Sequence, residues 1–339
     1  MSKNNYRIAV VGAGSLLGKE TGDEIAESPL ATATTLLLDN ELESGTLEAV
    51  GDEASFIQTL EPAAFENVDV AIFADAAMLR EHGRTARQMG VAVVDATGTL
   101  DFAPNAPVRS PLIAEGAPLD LETTVVRVAH PVASALSLVL MQAGKAGALR
   151  SAFATVLQPA SENGRAGVDE LQQQAVSLLS FQPVPKDEFD AQVAFNLLPT
   201  LGENAKLPLA AVQVRILRDF ATLTGGKTSP PVLQMLQAPV FHGFAVSMFL
   251  DFEEPVTADA LNAALRSEHL DLVGEEGDPP SNLSSAGQGQ ILLRVEPASK
   301  EAGTRFSLWL TMDNLKLTAR TAVACALELT RMRPLGSVQ

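Results

Sequence analysis

The chain has 339 residues, 46% hydrophobic and 19% charged, with a formal net charge of −17. The length suggests about two domains of roughly 100–200 residues each, and so apolar a chain is not a disordered one. The acidic balance argues against nucleic acid or an anionic membrane as partner, because both need a basic face, and a lone cysteine, Cys325, leaves no internal disulfide or zinc cluster and points to a reducing cytoplasm.

Tyr6–Val11 is a short apolar run, followed by Gly12-Ala-Gly-Ser-Leu-Leu-Gly18 and an amphipathic stretch, Lys19–Glu27. These read as strand, glycine-rich turn and helix, not as a secretory peptide. A second strand, Thr34–Leu38, ends on Asp39. After an acidic loop come a strand over Val68–Phe73, a helix over Met78–Met89, and a strand over Val91–Val94 closed by Asp95. A proline-rich passage from Pro104 to Pro118 leads to the strand Thr123–Val128. Buried strands alternating with helices predict an α/β fold with a parallel, doubly wound sheet.

From about Ala129 the pattern changes. A helix over Ser134–Ala143 precedes a strand over Ser151–Leu157. Long loops then separate strands at Val232–Leu236, Phe241–Phe252, Gln290–Val295 and Thr304–Thr311. This predicts an α+β domain with few helices and a mostly antiparallel sheet, one face of which needs cover from helices or a partner subunit. The tail, Asn314–Met332, has helical spacing. Val128–Gly144 is the nearest approach to the ~18 apolar residues of a membrane span, and His130, Pro131 and two serines interrupt it. The domains are therefore expected at 1–128, Rossmann-like, with helix 314–332 packing back on it, and at 129–313 for substrate and dimerisation.

Gly12, Gly14 and Gly18 lie where a strand turns into a helix, so backbone N–H groups and the helix dipole face a pyrophosphate. The third glycine falls one position late for G-x-G-x-x-G, and the same glycines also serve a tight turn and close packing. Asp39, 21 residues after Gly18, is placed to accept from ribose hydroxyls, which favours NAD over NADP.

Four segments carry a resemblance. Ala191-Gln-Val-Ala-Phe-Asn-Leu-Leu-Pro199 looks like an I-A-F-N-x-x-P motif, and Gln158-Pro-Ala-Ser-Glu-Asn-Gly-Arg-Ala-Gly167 like Q-A-V-S-G-A-G-x-x-G. Leu308–Leu315 matches a strand ending in D-N-L, and Ala9-Val-Val-Gly-Ala13 with Gly18 matches A-V-V-G-A-T-G-A-V-G. In this order they resemble the aspartate-semialdehyde dehydrogenase family over essentially the whole chain. The resemblance implies the family's fold, a homodimer, and cofactor contacts at Gly12, Gly14, Ser15, Gly18, Asp39, Ser161 and Gly164.

The family's reaction uses a cysteine thiolate, a histidine base, and arginines for the substrate carboxylate and for phosphate, with NADP taking hydride. Aligned on the motifs, the nucleophile is Ala133, the base is Phe244, and the two arginines are Gln237 and Asp101; Gln158 alone is retained. The acidic substrate residue falls near Arg215–Asp219. Acidic residues stand where the family holds the 2′-phosphate of NADP, Ser15 replaces a turn glycine, and Ala76 and Ala77 replace two further glycines. These departures resemble the catalytically altered, Usg-type members of the family.

A Ser134–His130 or Ser134–His242 hydrolase is the weaker alternative, because no orienting carboxylate or oxyanion pair accompanies it. His82 and His269 read as solvated, and Arg165 and Lys227 as loop cations. The expectation is a cytoplasmic, non-catalytic or ligand-sensing homologue without metal, forming a homodimer or pairing with an active relative. The alternative is an NAD-dependent oxidoreductase using direct hydride transfer. Cys325 is expected to be a small buried hydrophobe.

Overall fold

The computed structural model describes residues 5–50, 53–113, 119–120, 122–274, 276–297 and 302–332; the last five residues of the proline-rich passage, 114–118, lie outside that range. The chain divides into two compact units: Met1–His130 with Thr318–Gln339, and Pro131–Leu317.

The first unit is built on nine strands: β1 (Arg7–Val11), β2 (Thr34–Asp39), β3 (Leu47–Val50), β4 (Glu53–Phe56), β5 (Gln58–Thr59), β6 (Val70–Phe73), β7 (Ala92–Asp95), β8 (Val108–Arg109) and β9 (Val125–Val128). Seven of them form one sheet in the order β5-β2-β1-β6-β7-β9-β8, and every pairing in it is parallel. Both faces are covered, so both residue parities are apolar. Ile8, Val10, Val70, Ile72 and Val94 face a core shared with helix α1 (Leu16–Glu27) and with Ala322, Cys325, Ala326 and Leu329 of the last helix. Ala9, Val11, Ala71, Phe73 and Val93 face the other way, onto Leu79 and Ala86 of helix α2 (Ala76–Gln88). The order reverses at β1 and β6, which places the glycine-rich turn at the crevice between their carboxyl ends.

Two features of this unit depart from expectation. The acidic loop after β2 contains a small antiparallel hairpin, β3 with β4, and the proline-rich passage contributes the two-residue edge strand β8. Both are short and lack a long apolar pattern.

The second unit carries β10 (Leu149–Gln158), β11 (Val232–Gln237), β12 (Phe244–Val256), β13 (Leu270–Leu272), β14 (Ile291–Pro297) and β15 (Gly303–Met312), with helices α3 (Pro131–Ala143), α4 (Gly164–Leu179), α5 (Leu209–Leu223) and α6 (Ala258–Leu265); α7 (Asn314–Met332) begins here. The sheet order is β11-β10-β12-β15-β14-β13. Its centre is antiparallel, and the two edge pairings are parallel. The expectation of few helices fails at α4, α5 and α6.

Alternation fixes the two faces of this sheet. Ala152, Ala154 and Val156 of β10, Val246, Met248 and Leu250 of β12, and Leu308 and Leu310 of β15 point inward and are buried. Residues of opposite parity point outward, and Phe153, Val232 and Phe249 remain 48%, 65% and 53% exposed. Helix α3 packs against α5 and α6 and is buried at Val132, Ala133, Ala135, Leu136, Val139 and Leu140, with Ser134 and Ser137 buried among them.

Candidate functional site

In the first unit the turn between β1 and α1 is tied down by its own residues. Gly12 has φ +85°, and a Cβ there would lie 2.6 Å from the Asp75 Cβ, so only glycine fits. A Cβ on Gly18 would lie 2.0 Å from the Gly12 carbonyl oxygen, so this glycine sets the approach of helix to strand. Ser15 is the N-cap of α1 and accepts from the Gly18 N–H at 2.9 Å. Asp39, 3% exposed at the end of β2, accepts from the Gly14 N–H at 2.7 Å through Oδ2 and from the Asn40 N–H at 2.8 Å through Oδ1.

The acidic surroundings extend further. Asp75 caps α2 by accepting from the Met78 N–H at 2.9 Å and packs against Gly12. The ammonium of Lys19, the sole basic residue of α1, lies 2.6 Å from Glu48 of the hairpin. A phosphate over this turn would face Asp39 and Asp75 with its nearest helical cation already neutralised.

In the second unit, the parallel register of β10 and β11 sets Gln158 against Gln237. Gln158 Nε2 donates to Gln237 Oε1 at 3.2 Å, and Gln237 Nε2 donates to the backbone oxygens of Gln158 at 3.0 Å and Ala238 at 3.3 Å. Both amides are fully buried, as are Ala133 in the first turn of α3 and Phe244 at the head of β12. Next to Phe244, Gly243 has φ +82° and donates its N–H to Asn314 Oδ1 at 3.0 Å. Ser161 Oγ donates to the same oxygen at 3.1 Å. Asp313 accepts from the N–H groups of Leu315 and Lys316 at the start of α7. Asp313 and Asn314 of the D-N-L segment thus cap a helix and join three chain segments. Gly164, with φ +67° and open space around its Cα, permits the chain to turn into α4.

The remaining candidates are scattered. Asp101 is exposed at the end of a loop that Asp95 organises by accepting from Thr97, Gly98 and Leu100. His242 is exposed and precedes β12, so it does not share a strand face with the buried Phe244. His130 is fully buried. His82 and His269 are 19% and 15% exposed at their side chains and lie beside Glu81 and Glu268, against the expectation of full solvation. Arg165 and Lys227 are exposed. A pocket of about 650 Å³, lined by Arg266, Arg294 and Leu270 among others, lies at the β13–β14 edge and includes none of these positions.

Of the acidic loop noted in the sequence, Glu43 stands beside Gly14. In the segment Arg215–Asp219 on α5, Asp219 is 1% exposed and lies 3.6 Å from Arg215 and 3.0 Å from Arg218. Sequence reading missed one group: on α4, buried Glu170 and Gln174 hold the segment that contains the A-F-N motif. Glu170 accepts from the Glu188 and Phe189 N–H groups, and Gln174 accepts from those of Val193 and Ala194 and donates to the oxygens of Pro185 and Ala191. Among the described residues there is no cluster of His, Cys, Asp and Glu suited to a metal, and no helix is long and apolar enough to cross a membrane.

Residues 140–317 match the family described as semialdehyde dehydrogenase, dimerisation domain. The chain is 29% identical over 314 residues to a USG-1 protein homolog of Pseudomonas aeruginosa, covering 91% of this chain and 93% of that one. Among solved structures it resembles a probable aspartate-semialdehyde dehydrogenase from Pseudomonas aeruginosa, with TM-score 0.80, 26% identity and coverage of 97% and 99%. It also shares its fold with aspartate semialdehyde dehydrogenase II of Vibrio cholerae complexed with ASA, with TM-score 0.82, 21% identity and coverage of 98% and 100%.

Proposed function

The chain belongs to the semialdehyde dehydrogenase family, and from that premise we propose that it keeps the family's scaffold without the parent dehydrogenase reaction. The observation that carries this is Ala133. At the family's nucleophile position, in the first turn of a buried helix, stands a side chain that ends at Cβ. The sole thiol of the chain, Cys325, lies in the core of the other unit. Phe244 in the base position offers no proton acceptor, and Gln237 in the carboxylate-binding position offers no charge. Asp101, in the phosphate-binding position, would repel phosphate. The retained Gln158 is bonded to Gln237 inside a fully buried pair. Loss of a catalytic nucleophile alone costs on the order of a million-fold in turnover in a protease.

The chain acts as a non-catalytic, dimeric or ligand-sensing homologue, and its self-association uses the outward face of the second unit's sheet. Support comes from the dimerisation-domain match and from the apolar stripe there: Val232 pairs in register with Phe153, and Phe153 with Phe249, across three strands. The decisive assay is phosphate-dependent oxidation of aspartate semialdehyde by the purified chain with NADP or NAD. No turnover above background is expected, and a rate that scales with protein concentration would overturn the proposal.

A further inference from the structure

The glycine-rich turn is occupied from within the chain. Beyond Asp39, Asn40 Oδ1 accepts from the Leu42 N–H at 2.9 Å and the Glu43 N–H at 3.3 Å, which bends the chain back over the turn. Gly45, with φ +82°, continues that bend, and its N–H donates to the Ile57 oxygen at 2.8 Å. Thr59 Oγ1 donates to Ser44 Oγ at 2.8 Å and pins the bend to β5. This bend sets the Glu43 side chain beside Gly14. A Cβ on Gly14 would lie 3.1 Å from both Cγ and Oε2 of Glu43, and 3.2 Å from Asp39 Oδ2.

We infer that Glu43 is a specificity-determining residue: its carboxylate stands over the helix N-terminus where a dinucleotide would bring its phosphates, and it excludes them. The inference adds a cause to the proposed loss of function, because it concerns binding and not chemistry. A phosphate brought into contact with this carboxylate is repelled, and the Gly14 N–H that precedes α1 is already taken by Asp39. Glu43 is exposed and its side chain supports no buried packing, so replacing it changes charge without disturbing the core.

The test is equilibrium dialysis of the full chain against NADH, NADPH and inorganic pyrophosphate. Wild type is expected to show no saturable binding. Glu43→Lys is expected to bind pyrophosphate and NADPH at least about tenfold more tightly than wild type, with Glu43→Gln intermediate. Glu41→Gln, a charge change of the same size two residues away, is expected to match wild type. Saturable binding of either nicotinamide dinucleotide by wild type would overturn the inference, and so would Glu43 variants that bind no better than wild type. A circular dichroism spectrum matching wild type certifies the fold of each variant, and Glu43→Gln decides the matter should Glu43→Lys fail that check. Because Ala133 is unchanged in these variants, Glu43→Lys should gain binding and remain without turnover. Turnover by wild type would defeat the functional proposal and, through the cofactor binding it requires, this inference; binding by wild type without turnover would defeat this inference alone.

Discussion

Under the proposed alignment Ala133 takes the family's nucleophile position, and its side chain ends at Cβ. The cysteine the chain does possess is of another kind. Cys325 is fully buried in the core between the parallel sheet and α7, and burial pushes its thiol pKa well above the ordinary value, with Glu328 adding to the rise and Arg109 opposing it. A raised pKa keeps the thiol protonated up to alkaline pH, so the reactive thiolate is scarce. Native protein is expected to leave Cys325 unmodified by a disulfide-exchange reagent at neutral to mildly alkaline pH and to react fully in denaturant; rapid modification of the native protein would contradict this. The proposed absence of the family thiol rests on the segment His130-Pro-Val-Ala133. The pairing of Gln158 with Gln237 could not be read from the sequence, because a strand register joins residues 79 positions apart.

At the level of elements, the sequence was most legible where burial is apolar and periodic, as in β1, β6, β7 and α7. It was least legible in α4, and the reason is physical. The buried face of α4 carries Glu170, Gln174 and Ser177 beside Leu171 and Gly167, so polar residues interrupt its short apolar stripe of Leu171, Ala175 and Leu178. Glu170 and Gln174 bind the backbone of residues 185–194 beside the contact of Leu171 with Phe189 and Val193. Removing Gln174 leaves several buried groups without partners, at about 1–3 kcal/mol for a buried donor or acceptor. Gln174→Ala is therefore expected to lower unfolding free energy by roughly 3 kcal/mol in a denaturant titration with little change in slope. A loss under about 0.5 kcal/mol would mean that the bonds to 185–194 contribute little. At the glycine-rich turn the sequence showed the strand, the turn and Asp39. It did not show that Asp39 binds Gly14, or that the bend at Asn40 brings Glu43 onto the same glycine. Both depend on how the chain leaves β2, which apolar periodicity does not encode.

For the molecule as a whole, one exposed face bears on assembly. The sheet of the second unit presents Val232, Phe153 and Phe249 outward in register, a contiguous apolar stripe of the sort that marks an interaction surface. Phe249→Asp would place a charge in the middle of that stripe and is expected to shift the chain from dimer to monomer in sedimentation velocity, with its circular dichroism unchanged. A variant that sediments as wild type would move the self-association surface elsewhere. The proposed loss of function concerns other positions, Ala133, Phe244, Gln237 and Asp101, of which the first three are fully buried. If they stand at the family's reacting positions, as proposed, the chain offers no nucleophile, base or paired cations there. The most direct measurement is acyl-phosphate-forming activity of the purified chain and of Ala133→Cys, beside a cysteine-bearing relative as positive control. Neither the chain nor the single variant should turn over aspartate semialdehyde, since a thiol alone restores neither base nor cations; protein-dependent turnover by the unmodified chain would contradict the account.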